Sequence, residues 1–284
     1  MNNTIEQAYE KCIALANAHY ENFPVAKMVP KHLKKHICAV YAFARTADDI
    51  ADEHHEDIAE DSPVRIENLE NFEAQLDLEQ PQRSPQWSWI FTACDQTIKE
   101  FDIPKQLFRD LISAFKQDVV KKRYESFDEL LDYCRRSANP VGRLVLILHG
   151  FRDETRFAQS DKICSALQLA NFWQDMSVDK HKNRIYIPRS DWNGLSDEDF
   201  FAPKASKAVR DVLKFQVERT SKMFDDGSPL PKSLPFPLSL EIRATLAGGR
   251  TILRKIQEQD YDTLQARPKI TKLDKIKILL KSIL

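Results

Sequence analysis

Residues 31–53 read KHLKKHICAVYAFARTADDIADE, and their periodicity decides the fold class. Leu33, Ile37, Val40, Tyr41 and Ala44 recur at the spacing of one helix face. Pro30 stands just before the stretch, where its fixed φ and missing N–H suit a helix start. Asp48 and Asp52 are four residues apart, so on a helix both carboxylates leave one face, and Arg45, three residues before Asp48, shares that side.

Outward from this stretch, the same 3.6-residue pattern predicts helices around 64–79, 86–100, 104–121, 127–136, 140–150, 158–180, 204–225, 237–258 and 270–283. Breaks fall at Pro81 and Pro85, at Pro104, at Asn139-Pro140, at Pro188 and in the proline-rich stretch 228–237. Glycine is scarce, at six residues, and no alternating strand pattern or fixed-period repeat stands out. The expected fold is all-α. The connections are short, so one domain is expected over residues 1–284.

Composition narrows the partners. The chain has 284 residues, of which 42 are basic and 43 acidic, a net charge of −1. A polyanion-binding surface is not indicated, which argues against nucleic acid. Five scattered cysteines (Cys12, Cys38, Cys94, Cys134, Cys164) form no CxxC pair. Neither a disulfide framework nor a zinc cluster is expected, and a reducing cytoplasm fits. The seven histidines include no HExxH pair and no His-Asp dyad, so a zinc protease or a helical phosphohydrolase lacks its ligands. MNNTIEQAYEKC has no apolar core of a signal peptide, and the strongest apolar run, Leu144 to Phe151, is too short to cross a bilayer. At the other end LDKIKILLKSIL puts Leu273, Ile276, Leu279, Leu280 and Ile283 on one face, with Lys275, Lys277 and Lys281 elsewhere. Docking of that face on the helical core is slightly favoured over contact with the inner membrane surface.

The second informative segment is QLANFWQDMSVDKHKNRIYIP, residues 168–188. Asn171, Asp175 and Asp179 recur every four residues, Gln168 lies three before Asn171, and Leu167, Leu169, Ala170, Phe172, Trp173, Met176 and Val178 cover much of the remaining circumference. A helix apolar nearly all round is expected to be buried, and buried carboxylates must be paired or hold a metal. Like charges at i and i+4 repel unless a cation offsets them. On that argument Asp175→Asn should leave the protein folded and raise its metal-free melting temperature. Hard oxygen donors suit magnesium, completed by substrate phosphate, and Lys182, Arg184 and Tyr186 could grip the same phosphate. Taken alone, Asp48 and Asp52 read better as a solvated face, with Arg45 an ordinary ion-pair partner worth about 0.2–0.5 kcal/mol. The second stripe, with its large apolar flanks, moves the balance toward a metal site.

These two segments, with YCRRSANPVG at 133–142, resemble the squalene/phytoene synthase family, the head-to-head branch of the helical isoprenyl diphosphate synthases. The resemblance spans about His19 to Leu253. It implies a helical bundle around a central apolar cavity, with Asp48, Asp52, Asn171, Asp175 and Asp179 as magnesium ligands, manganese being a substitute. It also implies that Arg45, Gln168, Asn171, Arg184 and Tyr186 bind a prenyl diphosphate, and that Tyr133 is the family's active-site tyrosine, with Arg45, Arg184 and Tyr186 sharing in catalysis. Phe23, Tyr41, Phe43, Tyr133, Phe172 and Trp173 are candidates to face a carbocation at ~0.5–2 kcal/mol per contact. For each taken singly, Tyr133 apart, core packing is the better reading.

Within the family, ENFPVA at 21–26, FARTADDIADE at 43–53 and NFWQD at 171–175 resemble the bacterial hydroxysqualene synthases. That likeness implies conversion of presqualene diphosphate to hydroxysqualene with magnesium and no NADPH, at a cytoplasmic site beside other squalene-pathway enzymes. A departure is Ser137-Ala138-Asn139, where a small Val-Ala-Gly type stretch is common. Asn139 could place a water or cap the helix at Pro140, and capping is favoured. Two other readings stay open: condensation of two farnesyl diphosphates to presqualene diphosphate or a C30 carotenoid precursor, and an inert helical adaptor.

Overall fold

The computed structural model describes residues 2–18, 29–52 and 63–283, which form helices and turns and no strand. In chain order the helices are α1 (Asn2–Ala18), α2 (Lys31–Asp52), α3 (Pro63–Ala74), α4 (Ser88–Glu100), α5 (Gln106–Val120), α6 (Phe127–Ser137) and α7 (Asn139–Leu148). They continue with α8 (Glu154–Gln174), α9 (Met176–Asp179), α10 (Asp197–Phe201), α11 (Lys207–Gly227), α12 (Leu238–Glu258) and α13 (Lys272–Ile283). This is the all-α class that the periodicity indicates. Several starts also have local causes: Ser126, Asp153 and Ser206 each accept a backbone N–H at the heads of α6, α8 and α11.

Two differences from the sequence reading are instructive. α1 was not anticipated, yet Ala8, Cys12 and Ala16, one helical turn apart, are all buried in it. The stretch 158–180 is not one helix, because it breaks at Asp175. There the N–H of Asp175 closes α8 on the Asn171 carbonyl at 2.9 Å, while the Asp175 carbonyl accepts from both Val178 (2.7 Å) and Asp179 (2.8 Å). Sharing one acceptor between two donors tightens the next turn and sets α9 off as a separate four-residue helix.

The chain forms two compact units: Met1–Val120 with Pro140–Arg152, and Lys121–Asn139 with Asp153–Leu284. In the first, α2 packs against α1, α3, α4 and α5. Phe43 is fully buried at the centre of an aromatic cluster, with ring centroids 5.1 Å from Phe72, 5.8 Å from Phe91 and 4.9 Å from Phe108. Phe43 is therefore core, each such ring being worth about 1.5–3 kcal/mol on burial. In the second unit α8 is central, packed on α6, α11 and α12. Trp173 is wholly buried there, and its Nε1–H donates to Thr220 Oγ1 at 2.8 Å. Among the described residues no helix is long and apolar enough to cross a membrane.

Candidate active site

In the second unit the polar stripe of α8 is accessible while its flanks are not. Gln168 and Asp175 are half-buried and Asn171 is exposed, whereas Leu169, Ala170, Phe172 and Trp173 are buried. Val178, expected among the apolar flanks, is 44% exposed because it lies beyond the break on α9. Asp175 is not left to repel Asp179. Arg267, on the segment after α12, donates from Nε to Oδ1 and from Nη2 to Oδ2 (3.1 Å), a bidentate clamp.

Beyond α9 the chain doubles back. Asn183 adopts a left-handed conformation (φ 53°), which Asn tolerates better than most residues, and the Arg184 N–H returns to the Asp179 carbonyl at 3.0 Å. The strap that follows is hydrogen-bonded to residues 122–124: Ile185 N–H to the Lys122 carbonyl (3.1 Å) and Arg189 N–H to the Tyr124 carbonyl (2.9 Å). Arg123 fastens it again, donating to the Asn183 carbonyl and to Asp197. These bonds seat Tyr186 against Phe172, stacked at 3.6 Å and 8°. Tyr133 stands 5.8 Å from Phe172 and 6.5 Å from Tyr186, with Tyr124 completing the group at 6.0 Å from Tyr133. Phe172, Trp173, Met176, Asp179, Arg184 and Tyr186 line one small cavity. An acid, a guanidinium and aromatic faces thus border a single small space.

In the first unit, α2 presents Arg45, Asp48, Asp49 and Asp52 toward its C-terminal end. Arg45 Nη1 donates to Asp48 at 3.4 Å, and its Nη2 makes a shorter bond to Asp49, a residue the sequence reading passed over. Asp48 and Asp49 are half-buried and Asp52 is exposed. Tyr41, one turn before Arg45, has its hydroxyl pKa raised, by burial first, with Arg45 opposing and Asp49 and Asp48 adding to the rise.

One expectation changes and another cannot be placed. Asn139 neither caps α7 nor faces open space: it is buried as the first residue of α7, and its Oδ1 accepts from Ser165 Oγ on α8 at 2.8 Å. Phe23 lies, with the ENFPVA segment, outside the described residues. Tyr124, Asp49, Arg123 and Arg267 were not anticipated. Tyr124 sits in a stretch with no helical pattern, and Arg267 follows the last recognised motif by many residues.

Among the described residues no group of three or more His, Cys, Asp and Glu side chains gathers round one point. Magnesium does not need such a cage, since it keeps several waters and takes one or two carboxylates with phosphate completing its shell. Asp48 with Asp52, and Asp175 with Asp179, each offer two hard oxygens. Arg45 Nε beside the first pair is buried with no hydrogen-bond partner among the described residues, a donor suited to an anion. The donor set fits the metal.

A helical fold carrying these acidic pairs defines a protein of the isoprenoid synthase type. The profile described as "Squalene/phytoene synthase" matches residues 7–274, and the chain belongs to that family of prenyl-diphosphate-processing enzymes. Among its relatives, a hydroxysqualene synthase of Rhodopseudomonas palustris is 38% identical over 246 residues, covering 84% of this chain and 80% of the relative. A hydroxysqualene synthase of Sinorhizobium fredii is 35% identical with the same coverage. Among solved structures, squalene synthase HpnC from Alicyclobacillus acidocaldarius superposes with a TM-score of 0.82 at 36% identity, covering 90% of this chain and 95% of that one.

Proposed function

We propose that the protein, as one synthase domain over residues 1–284, converts presqualene diphosphate to hydroxysqualene and diphosphate. The observation that carries this reading is the 38% identity to a hydroxysqualene synthase along most of both chains. The grouping of Asp179, Arg184, Tyr186 and Phe172 around one cavity supports it. Magnesium, with manganese as a substitute, would neutralise charge developing on the leaving diphosphate. Asp48, Asp52, Asn171, Asp175 and Asp179 are the side chains proposed to hold it. Arg45, Gln168, Arg184 and Tyr186 bind and orient the phosphates. Tyr133 and Phe172 offer their ring faces to the carbocation, with Tyr41 and Phe23 as further substrate contacts. Water then closes the rearranged cation, and no NADPH is consumed. Bulk water must stay out until that moment, or the cation is quenched early. The reading places the protein in the cytoplasm, with peripheral contact at the inner membrane surface and neighbouring squalene-pathway enzymes.

The test gives purified protein presqualene diphosphate and magnesium in isotopically labelled water. One alcohol bearing the label is the expected product. Accumulation of presqualene diphosphate from farnesyl diphosphate alone would favour the condensing reaction. Squalene formed only with NADPH would remove the water-capture step, and no release of pyrophosphate at all would favour the inert adaptor.

A further inference from the structure

Helix α13 packs on α12 with its polar side inward. Asp274 and Ser282 are buried and Ile278 is half-buried, while Leu273, Ile276, Leu279 and Leu280 are 69%, 57%, 51% and 58% exposed. A helix on a soluble core ordinarily presents the opposite faces. Bonds made on the inward side fix this orientation. Asp274 Oδ2 accepts from the Thr271 N–H (2.8 Å) and hydroxyl (2.7 Å) and pairs with Lys255 of α12 at 2.9 Å. At the far end Arg243 of α12 reaches the Ser282 carbonyl at 3.5 Å. Rolling the apolar arc inward would carry Asp274 outward, break its pair with Lys255 and leave that ammonium without its partner.

We propose that this outward face of α13 is an interfacial helix that docks the protein on an anionic lipid bilayer. Charge selects the occupant. Lys272, Lys275, Lys277 and Lys281 are all exposed on the helix, and its one acid, Asp274, is turned inward. The whole chain carries a net charge of −1, so this positive charge is local to the helix. At twelve residues, about 18 Å long, α13 is too short to span a bilayer and suited to lie along its surface. The leucines and isoleucine enter the acyl boundary while the lysines on either flank reach the headgroups. A second copy of the chain is a poorer occupant, because a two-fold contact would set the lysines of one α13 against those of the other. This surface stands independently of the reaction proposed above.

Flotation of the full chain with vesicles tests the inference. The protein should float with phosphatidylcholine vesicles containing phosphatidylglycerol, less with phosphatidylcholine alone, and less as salt is raised. Ile276→Ser with Leu280→Ser, and separately Lys277→Glu with Lys281→Glu, should each lower vesicle partitioning by about tenfold or more. Both double variants should keep the wild-type melting temperature and turnover of dispersed substrate, since the altered side chains are exposed. Flotation unchanged in either variant, or no flotation of the wild type, would overturn the proposal. So would a wild-type dimer in light scattering that Ile276→Ser with Leu280→Ser dissolves while vesicle binding is absent.

Discussion

Arg267 holds both carboxylate oxygens of Asp175, from a segment 92 residues further along the chain. With Asp175 only 15% exposed at its side chain, the guanidinium offsets the like-charge pair that Asp175 forms with Asp179. The gain in metal-free stability anticipated for Asp175→Asn therefore disappears. That variant should instead melt at or slightly below the wild type without metal, by about 0.5–1.5 kcal/mol for the lost charge-assisted pair, discounted because Arg267 is partly exposed. Turnover should fall by orders of magnitude. Calorimetric melting with and without magnesium, beside an activity assay, checks both halves.

Arg267→Gln gives the converse prediction. Removing the guanidinium leaves Asp175 uncompensated until a cation arrives, so manganese should bind at lower concentration than in the wild type when no substrate is present. A manganese titration followed by electron paramagnetic resonance measures this. Weaker or unchanged manganese binding would mean that Arg267 does not compete with metal for Asp175.

The glycine pair in α12 separates packing from propensity. A Cβ on Gly249 would lie 2.4 Å from Cζ of the Phe224 ring and 2.9 Å from Cδ2 of Leu167, so α8, α11 and α12 meet there without room for a methyl. Gly248 has nothing within 4 Å of the same point. Gly249→Ala should destabilise by about 1–3 kcal/mol, because a buried ring cannot yield as a flexible chain end can. Gly248→Ala should stabilise by about 0.5–1 kcal/mol, the ordinary helix-interior gain. Thermal denaturation of the two single variants reads opposite signs.

What was legible in the sequence follows from distance along the chain. The helix class and the spacing of Asp48 and Asp52 are local properties of a 3.6-residue repeat, and α2 covers Lys31–Asp52. The relation of Asp175 to Asp179 was also local, but the break between them was not, since spacing alone does not reveal a carbonyl shared by two donors. Tyr124 joins Tyr186 only because backbone bonds bring residues 122–124 beside 185–189. The apolar arc of α13 was visible as a pattern. Its outward direction was not, because it depends on Asp274 finding Lys255 in another helix.

On α2, Arg45 is shared between Asp48 and Asp49, and the two acids should differ sharply when neutralised. Asp48→Asn removes a proposed metal ligand and should cut kcat by orders of magnitude. Asp49→Asn removes only the stronger tether of Arg45, so KM for the diphosphate substrate should rise several-fold with little change in kcat. The cost in stability should be near that of one exposed i,i+4 pair, about 0.3–0.5 kcal/mol. Steady-state kinetics of both variants at saturating magnesium provide the comparison, and equal losses of kcat would mean that Asp49 is itself a ligand.

The final prediction concerns pH. Glu241, in the first turn of α12, is 5% exposed, and burial pushes its carboxyl up to about 7 from the usual 4.5. An acid whose pKa is higher folded than unfolded keeps its proton in the folded state when the unfolded chain has lost it. Between pH 4.5 and about 7 the folded state therefore binds more protons, and stability falls as pH rises. Below that window the contribution is fully present; above it, it is gone. Replacing the carboxyl with an amide removes the titration while keeping the shape. Glu241→Gln should thus flatten the slope of stability against pH between 4.5 and 7. At pH 7.5 it should gain of order 1–3 kcal/mol over the wild type, and near pH 4.5 little or nothing. Urea denaturation of both proteins across this range measures the difference. A parallel offset at every pH would show instead that the side chain acts through packing alone, and that its proton plays no part in the stability of the fold.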